Sequence, residues 1–198
     1  VSLTFMYRKP ATTFNQKAEA LYQQNVLSVM EEVWHKEGER IDLVIFLNGI
    51  AIFTFELKCN TSGQNYEDAI RQYKFERDYK TRLLKFKAGC LAHFAMDLNE
   101  VYMCTNLKGK SSFFLPFNKG CGVGIHSGKG NPHNENGINV SYMWEDILKK
   151  DTVLYLIDKI IFLQKETKKD PDTGKRVTKE TLIFPRYHQF NAVRKLVA

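Results

Sequence analysis

No apolar run in the sequence approaches the roughly 18 residues that a membrane span needs, and the opening stretch Val1 to Lys17 lacks the apolar block of a signal peptide. These absences exclude a membrane-spanning helix and make the cytoplasm the expected location. Cysteine is sparse. Cys59, Cys90, Cys104 and Cys121 include no C-x-x-C pair, which argues against a zinc knuckle or a redox motif and for buried, reduced thiols. No G-x-x-x-x-G-K-[ST] phosphate loop occurs. Gly128-Lys129-Gly130-Asn131 runs into Pro132 and polar residues instead of a helix, so it predicts a surface turn and no ATPase activity for this stretch of chain. Internal repeats are absent. None of His35, His93, His126, His133 and His188 stands at ligand spacing from another, and His93, within an alternating run, is expected to be a satisfied sheet residue.

What is present suits an ordinary folded domain: 198 residues, 43% hydrophobic and 26% charged. That length holds one domain with a real core, plus a short piece of a second. The chain opens on Val1 and stops at Ala198 inside an expected helix, as though cut from a longer polypeptide. A net charge of +7 favours a polyanionic partner without proving one. The charge run Lys165 to Lys169 is better explained as a solvated helix end or linker.

Asn15 to Gln24 has the pattern of a short helix, and Val26 to His35 alternates as a strand does. Ile41 to Leu47 and Ile50 to Cys59 are dense in Ile, Val, Leu and Phe, with Asn48-Gly49 between them as a hairpin turn. Gln64 to Asp78 predicts a helix, and Leu91 to Met96 and Val101 to Leu107 predict two further strands across the turn 97–100. Gly120 to Gly137 holds six of the 12 glycines and is expected to be a long loop. Ser141 stands as an N-cap before one helix, and a second runs from Asp151 to about Gln164. Thr181 to Phe184 is a possible short strand and Arg186 opens a final helix. A domain boundary is expected between 165 and 180.

The chemistry is concentrated in I41-D42-L43 and F55-E56-L57-K58. Residues two apart on a strand share a face, so Glu56 and Lys58 emerge together from an apolar run. Left unpaired there, each charge would cost several kcal/mol. A divalent metal is a natural partner for Glu56, and Asp42 would complete a hard oxygen site suited to Mg²⁺ and phosphodiester hydrolysis. Asp42, Glu56 and the backbone carbonyl of Leu57 would hold the ion, which would polarise the phosphate and acidify a water. Lys58 would position that water or stabilise the growing charge. A core salt bridge between Glu56 and Lys58 explains the same residues, and the spacing alone leaves both readings open.

Strand geometry separates them. A two-residue loop at Asn48-Gly49 pairs Leu47 with Ile50 and Asp42 with Phe55, which sends Asp42 to the face opposite Glu56. The metal reading therefore predicts a three-residue loop with Gly49 in a bulge, or an equivalent offset of one residue.

The segment 41–58 resembles the nuclease motif of the restriction (R, or HsdR) subunit of type I restriction-modification enzymes. The likeness continues in order through D-A-I-R-Q-Y-K-F-E-R-D (68–78), C-L-A-H-F-A-M-D (90–97), V-Y-M-C-T-N-L (101–107), F-L-P-F-N-K-G (114–120), G-K-G-N-P (128–132) and Y-M-W-E-D-I-L (142–148). I-F-P-R-Y-H-Q-F-N-A-V (183–193) resembles the lead into that subunit's helicase-like motor. The resemblance implies an α/β fold of the PD-(D/E)xK restriction-endonuclease type, with a central mixed β-sheet flanked by helices. It implies an endonuclease domain over 1–165, then a linker and the start of the motor over 166–198. Asp42, Glu56 and Lys58 match the acidic residue and the Glu-x-Lys of the motif, with Ile41 where many members have proline. Gln72 matches the glutamine of a Q-x-x-x-Y motif shared with RecB-like nucleases and would orient the lysine or touch DNA. Glu76 stands at the tyrosine position with Tyr73 and Tyr79 nearby, and packing explains Tyr73 equally well.

The implied activity is Mg²⁺-dependent, sequence-nonspecific cleavage of double-stranded DNA after ATP-driven translocation by a motor, with methylation and specificity subunits as partners. Gln189 resembles an adenine-reading glutamine whose site would lie outside these residues. The alternatives are a DNA-binding or motor-coupling module that does not cut, and a RecB-like repair nuclease.

Overall fold

The computed structural model describes residues 4–12, 14–121, 129–169 and 174–197. Asn15 accepts a hydrogen bond from the Ala18 amide and so caps helix α1 (Gln16–Gln23). The chain then climbs strand β1 (Leu27–Lys36) and returns as β2 (Glu39–Leu47). Asn48 and Gly49 follow with φ of 49° and 82°. Two successive positive φ values form the primed turn whose twist matches that of paired strands, and Asn-Gly supplies it at little steric cost. The turn leads into β3 (Ile50–Leu57).

Helix α2 (Tyr66–Phe75) starts from a capping box in which Asn65 accepts from the Glu67 amide and Asp68 accepts from the Asn65 amide. Strands β4 (Ala92–Met96), β5 (Val101–Cys104) and the short β6 (Leu115–Pro116) complete a six-stranded sheet in the order β1-β2-β3-β4-β5-β6. The β3–β4 pair is parallel and the other four are antiparallel, so the sheet is mixed. The connection from β3 to the parallel β4 contains α2, the crossover that a parallel pair requires.

Period-two alternation divides the strands between two cores. Towards α2, Val44, Ala95 and Cys104 pack with Ala69, Tyr73 and Leu84. On the opposite face Ile45, Phe53, Phe55, Phe94, Val101 and Met103 meet Tyr22 of α1 and the later helical segments. Those segments are a π-helical turn over Met143–Ile147, helix α3 (Lys150–Tyr155) and a second π-helical turn over Leu156–Ile160. Strands β7 (Phe162–Lys169) and β8 (Arg176–Ile183) pair as a separate hairpin, and helix α4 (Tyr187–Val197) follows. Helices on both faces of a mixed sheet agree with the expected restriction-endonuclease-like architecture.

Several local expectations need correction. The helix expected from Asp151 to Gln164 ends at Ile160, where Ile161 turns extended. The Lys165 to Lys169 run is neither helix end nor linker but part of β7, stitched across to β8 by a Lys165–Glu180 ion pair at 3.2 Å and a Thr167–Thr178 hydroxyl contact at 3.1 Å. Ser141 does not cap the next helical turn, since its hydroxyl donates to Glu145. Only Cys90 and Cys104 are buried; Cys59, just beyond β3, and Cys121 are exposed, though all four thiols are free. Part of the expected 120–137 loop, residues 122–128, lies outside the described residues, and amides of Gly120 and Cys121 donate to the carbonyls of Gly130 and Lys129. β7 runs through position 165, and Phe184 and Phe190 beyond it are buried in the larger core; whether a second domain starts in this stretch is a separate matter.

Candidate active site

Asp42, Glu56 and Lys58 lie near the ends of β2 and β3. The turn between these strands is the two-residue one, with Leu47 opposite Ile50. That register would have separated the carboxylates, but the ladder shifts between Ile45 and Phe46: Ile45 faces Phe53 whereas Phe46 faces Ala51. Ile52 is the extra residue, and both Ile52 and Phe53 sink into the same core, as adjacent residues of a bulge do. Beyond it Val44 faces Thr54 and Leu43 faces Phe55, so the next step sets Asp42 opposite Glu56. The required one-residue offset is therefore present, placed inside β3 and not at Gly49. Asp42 Oδ2 accepts a 2.8 Å hydrogen bond from the Leu57 amide, which fixes its carboxylate beside Glu56.

Glu56 is fully buried, at 0% exposure. Its partner is Arg77, whose Nε donates to Oε1 at 2.7 Å and whose Nη2 donates to Oε2 at 3.3 Å. The expected alternative, a Glu56–Lys58 salt bridge, does not form; the Lys58 ammonium makes no ion pair among the described residues. Lys58 is held through its backbone, whose amide donates to the Met96 carbonyl at 2.9 Å. Burial pushes the Glu56 carboxyl up to about 7, with the nearby Asp42 charge adding to the rise and Arg77 and Lys58 opposing it. A carboxylate short of positive charge despite a bidentate guanidinium is a place where further cation density is stabilising.

The elements around Glu56 are anchored by polar contacts. Thr54 shares 2.8 Å hydrogen bonds with the Tyr73 hydroxyl and with His93 Nδ1, joining β3 to α2 and β4. Tyr73 thus packs and bonds within the core, and His93 is satisfied as expected; burial pulls its imidazole down to about 3. Asp97 accepts from the Tyr66 amide at the start of α2 and from the amides of Asn99 and Glu100, which ties α2 to the β4–β5 turn. At the other end of α2, Glu39 accepts from the Asp78 amide at 2.7 Å and Lys36 reaches Asp78 at 3.2 Å. Gln72 lies on α2 one turn before Glu76, and its Oε1 is buried without a hydrogen-bond partner among the described residues. A buried orphan acceptor calls for an unseen donor.

The donors available for a cation are oxygens: the Asp42 and Glu56 carboxylates and the backbone. No group of three or more His, Cys, Asp or Glu side chains that could hold a metal occurs among the described residues. The set suits a hard ion that keeps several waters, and does not suit zinc. Sequence reasoning missed Arg77. Twenty-one positions separate it from Glu56, and its only signal was a cation at the C-terminal end of the predicted helix 64–78.

Comparison with known proteins agrees with this architecture. No solved structure matches the chain. The putative type I restriction enzyme MjaVIIIP endonuclease subunit of Methanocaldococcus jannaschii is 27% identical over 186 residues, covering 87% of this chain and 15% of that protein. The chain therefore spans a small part of its relative's length. The family described as type I restriction enzyme R protein N terminus matches residues 13–112, the stretch that contains β2, β3, α2 and the carboxylate pair, and this chain belongs to that family.

Proposed function

We propose that this chain is the Mg²⁺-dependent endonuclease domain of a type I restriction enzyme R subunit, hydrolysing DNA phosphodiester bonds. The observation that carries the reading is the Ile52 bulge, which sets Asp42 beside Glu56 in a strand otherwise committed to the core. Asp42, Glu56 and the Leu57 carbonyl are the proposed metal ligands. Mg²⁺ bound there would supply charge to the scissile phosphate and acidity to a water. Lys58, on the face of Glu56 and unpaired among the described residues, stabilises charge on the phosphate oxygens or orients the water. Gln72 positions Lys58 or contacts DNA, giving its buried Oε1 the donor it lacks.

Double-stranded DNA is the proposed substrate, and the net charge of +7 supports it. The methylation and specificity subunits, an ATP-driven motor that residues 166–198 lead into, and a cytoplasmic location belong to the same proposal. No helix among the described residues is long and apolar enough to cross a membrane. Family membership favours this reading over a RecB-like repair nuclease. One observation favours a module that binds or couples without cutting: Arg77 engages both oxygens of Glu56.

The test uses Asp42→Asn, Glu56→Gln and Lys58→Ala in the complete enzyme, with translocation measured beside cleavage. Loss of cleavage by at least a hundredfold with translocation intact supports the nuclease. Undiminished cleavage by all three sinks it.

A further inference from the structure

A buried carboxylate cannot stand alone. Ionised and unpaired, Glu56 would cost several kcal/mol to hold in the sheet, and the described residues bond one cation to it. That cation is Arg77, with 9% of its side chain exposed. The two Nε/Nη2 bonds occupy both carboxylate oxygens in the forked geometry that guanidinium and carboxylate share.

The mounting of Arg77 differs from that of the residues around it. It lies two positions past the last residue of α2, on backbone pinned by the Asp78 amide to Glu39 and by Lys36 to Asp78. Lys36 also reaches Glu39 at 2.9 Å, so the anchor is closed on itself. Among the described residues the side chain has one bond besides those to Glu56, a long 3.4 Å contact from Nη1 to the Glu76 carbonyl. The backbone is fixed by these anchors, whereas the guanidinium is held chiefly by Glu56 itself.

We infer that Arg77 is a removable counter-ion. Its guanidinium holds Glu56 while no divalent cation is present, and a divalent cation settling between Asp42 and Glu56 displaces it from Oε1. This inference rests on the proposed metal site. A magnesium ion needs carboxylate oxygens at about 2.0–2.1 Å, a demand that competes with a donor already seated at 2.7 Å. The exchange replaces one positive charge with two beside two carboxylates. It also frees a planar, phosphate-matching cation within a side chain's length of the site. Arg77 thereby lowers the site's affinity for metal and keeps the strand end ordered without it.

The experiment compares the 198-residue chain with Arg77→Met, Arg77→Lys and Asp42→Asn, using Mn²⁺ binding by electron paramagnetic resonance and thermal unfolding in EDTA or Mn²⁺. Arg77→Met should bind Mn²⁺ about tenfold or more tightly than the unsubstituted chain, the equivalent of one lost charged hydrogen bond. It should melt lower in EDTA and recover more of its melting temperature on adding Mn²⁺. Arg77→Lys, which keeps charge without the fork, should fall between the two. Should Arg77→Met fail to fold, the unsubstituted chain decides. Its Arg77 Nε–H resonance should shift and exchange faster with solvent as diamagnetic Mg²⁺ is added.

An Arg77→Met affinity equal to or weaker than that of the unsubstituted chain, or an Nε–H signal unmoved by saturating Mg²⁺, overturns the inference. If metal binding is lost in Asp42→Asn while Arg77→Met changes nothing, the counter-ion idea alone fails. If Asp42→Asn binds Mn²⁺ as well as the unsubstituted chain does, or no form binds it, the metal site falls too.

Discussion

Glu56 should leave a signature in the pH dependence of folding. Its folded carboxyl titrates near 7 against an ordinary 4.5, so the folded state holds the extra proton between those values. Its contribution to stability is full below about pH 4.5 and is lost as the pH rises through about 7. His93 acts in the opposite sense: its imidazole, pulled from 6.5 down to about 3, costs stability as the pH falls below 6.5. A bare pH profile mixes the two, so the measurement is a difference. Urea midpoints of the unsubstituted chain and Glu56→Gln at pH 5 and pH 8 should diverge, with the unsubstituted chain losing ground at pH 8; a constant gap contradicts the shift. Asp42, Glu56 and Lys58 were legible because charge stands out in an apolar run. Arg77 was not, because no local rule links a residue after one helix to a strand 21 positions earlier; the pair exists only once α2 has closed on the sheet.

Two elements hold these residues in place, and each has a point where it can be loosened. Replacing Asn65 with Ala removes the acceptor that starts α2 and should cost about 1 kcal/mol in chemical denaturation. Gly49→Ala meets no atom within 4 Å, so its cost comes from the backbone at φ 82°, about 1–2 kcal/mol. A change under a few tenths would contradict the primed turn. The strands β2, β3, β4 and β5 were visible as dense apolar runs that bury both faces between turn residues, and α2 because a breaker precedes it and no Gly or Pro interrupts it. Strand β7 was hidden for the converse reason: almost every residue is exposed, so Gln164 to Lys169 has no apolar period to read. The bulge was foreseen in kind but not in place, since 50–55 holds five apolar residues in six and any of them could have been the extra one.

At the scale of the molecule, four rings join the sheet to the C-terminal segment. Phe184 lies 6.0 Å from Phe53 and 5.9 Å from both Phe94 and Phe117, all edge-on. Such contacts add to burial, and Phe184→Ala should cost about 3–5 kcal/mol in the denaturation midpoint. For the same reason a fragment ending at 165 should lose its cooperative melt, having uncovered Phe53, Phe94 and Phe117; a sharp melt like that of the full chain would show that the rings do not need their cover. Arg194 strengthens the attachment by gripping Asp146 at 2.6 and 2.8 Å. The boundary expected between 165 and 180 followed the turn residues at 170–174 and the family resemblance, neither of which registers the aromatic residues that pack back on the sheet beyond them.

That ring cluster makes α4 a mechanical handle. Tension applied along the helix would not be absorbed by a slack tether, because Phe184 and the Arg194–Asp146 clasp transmit it to the body of the domain. The first strands to bear the load are β3 and β4, through Phe53 and Phe94. β3 carries Glu56 one residue from its end, so strain entering through α4 arrives beside the carboxylate that Arg77 holds.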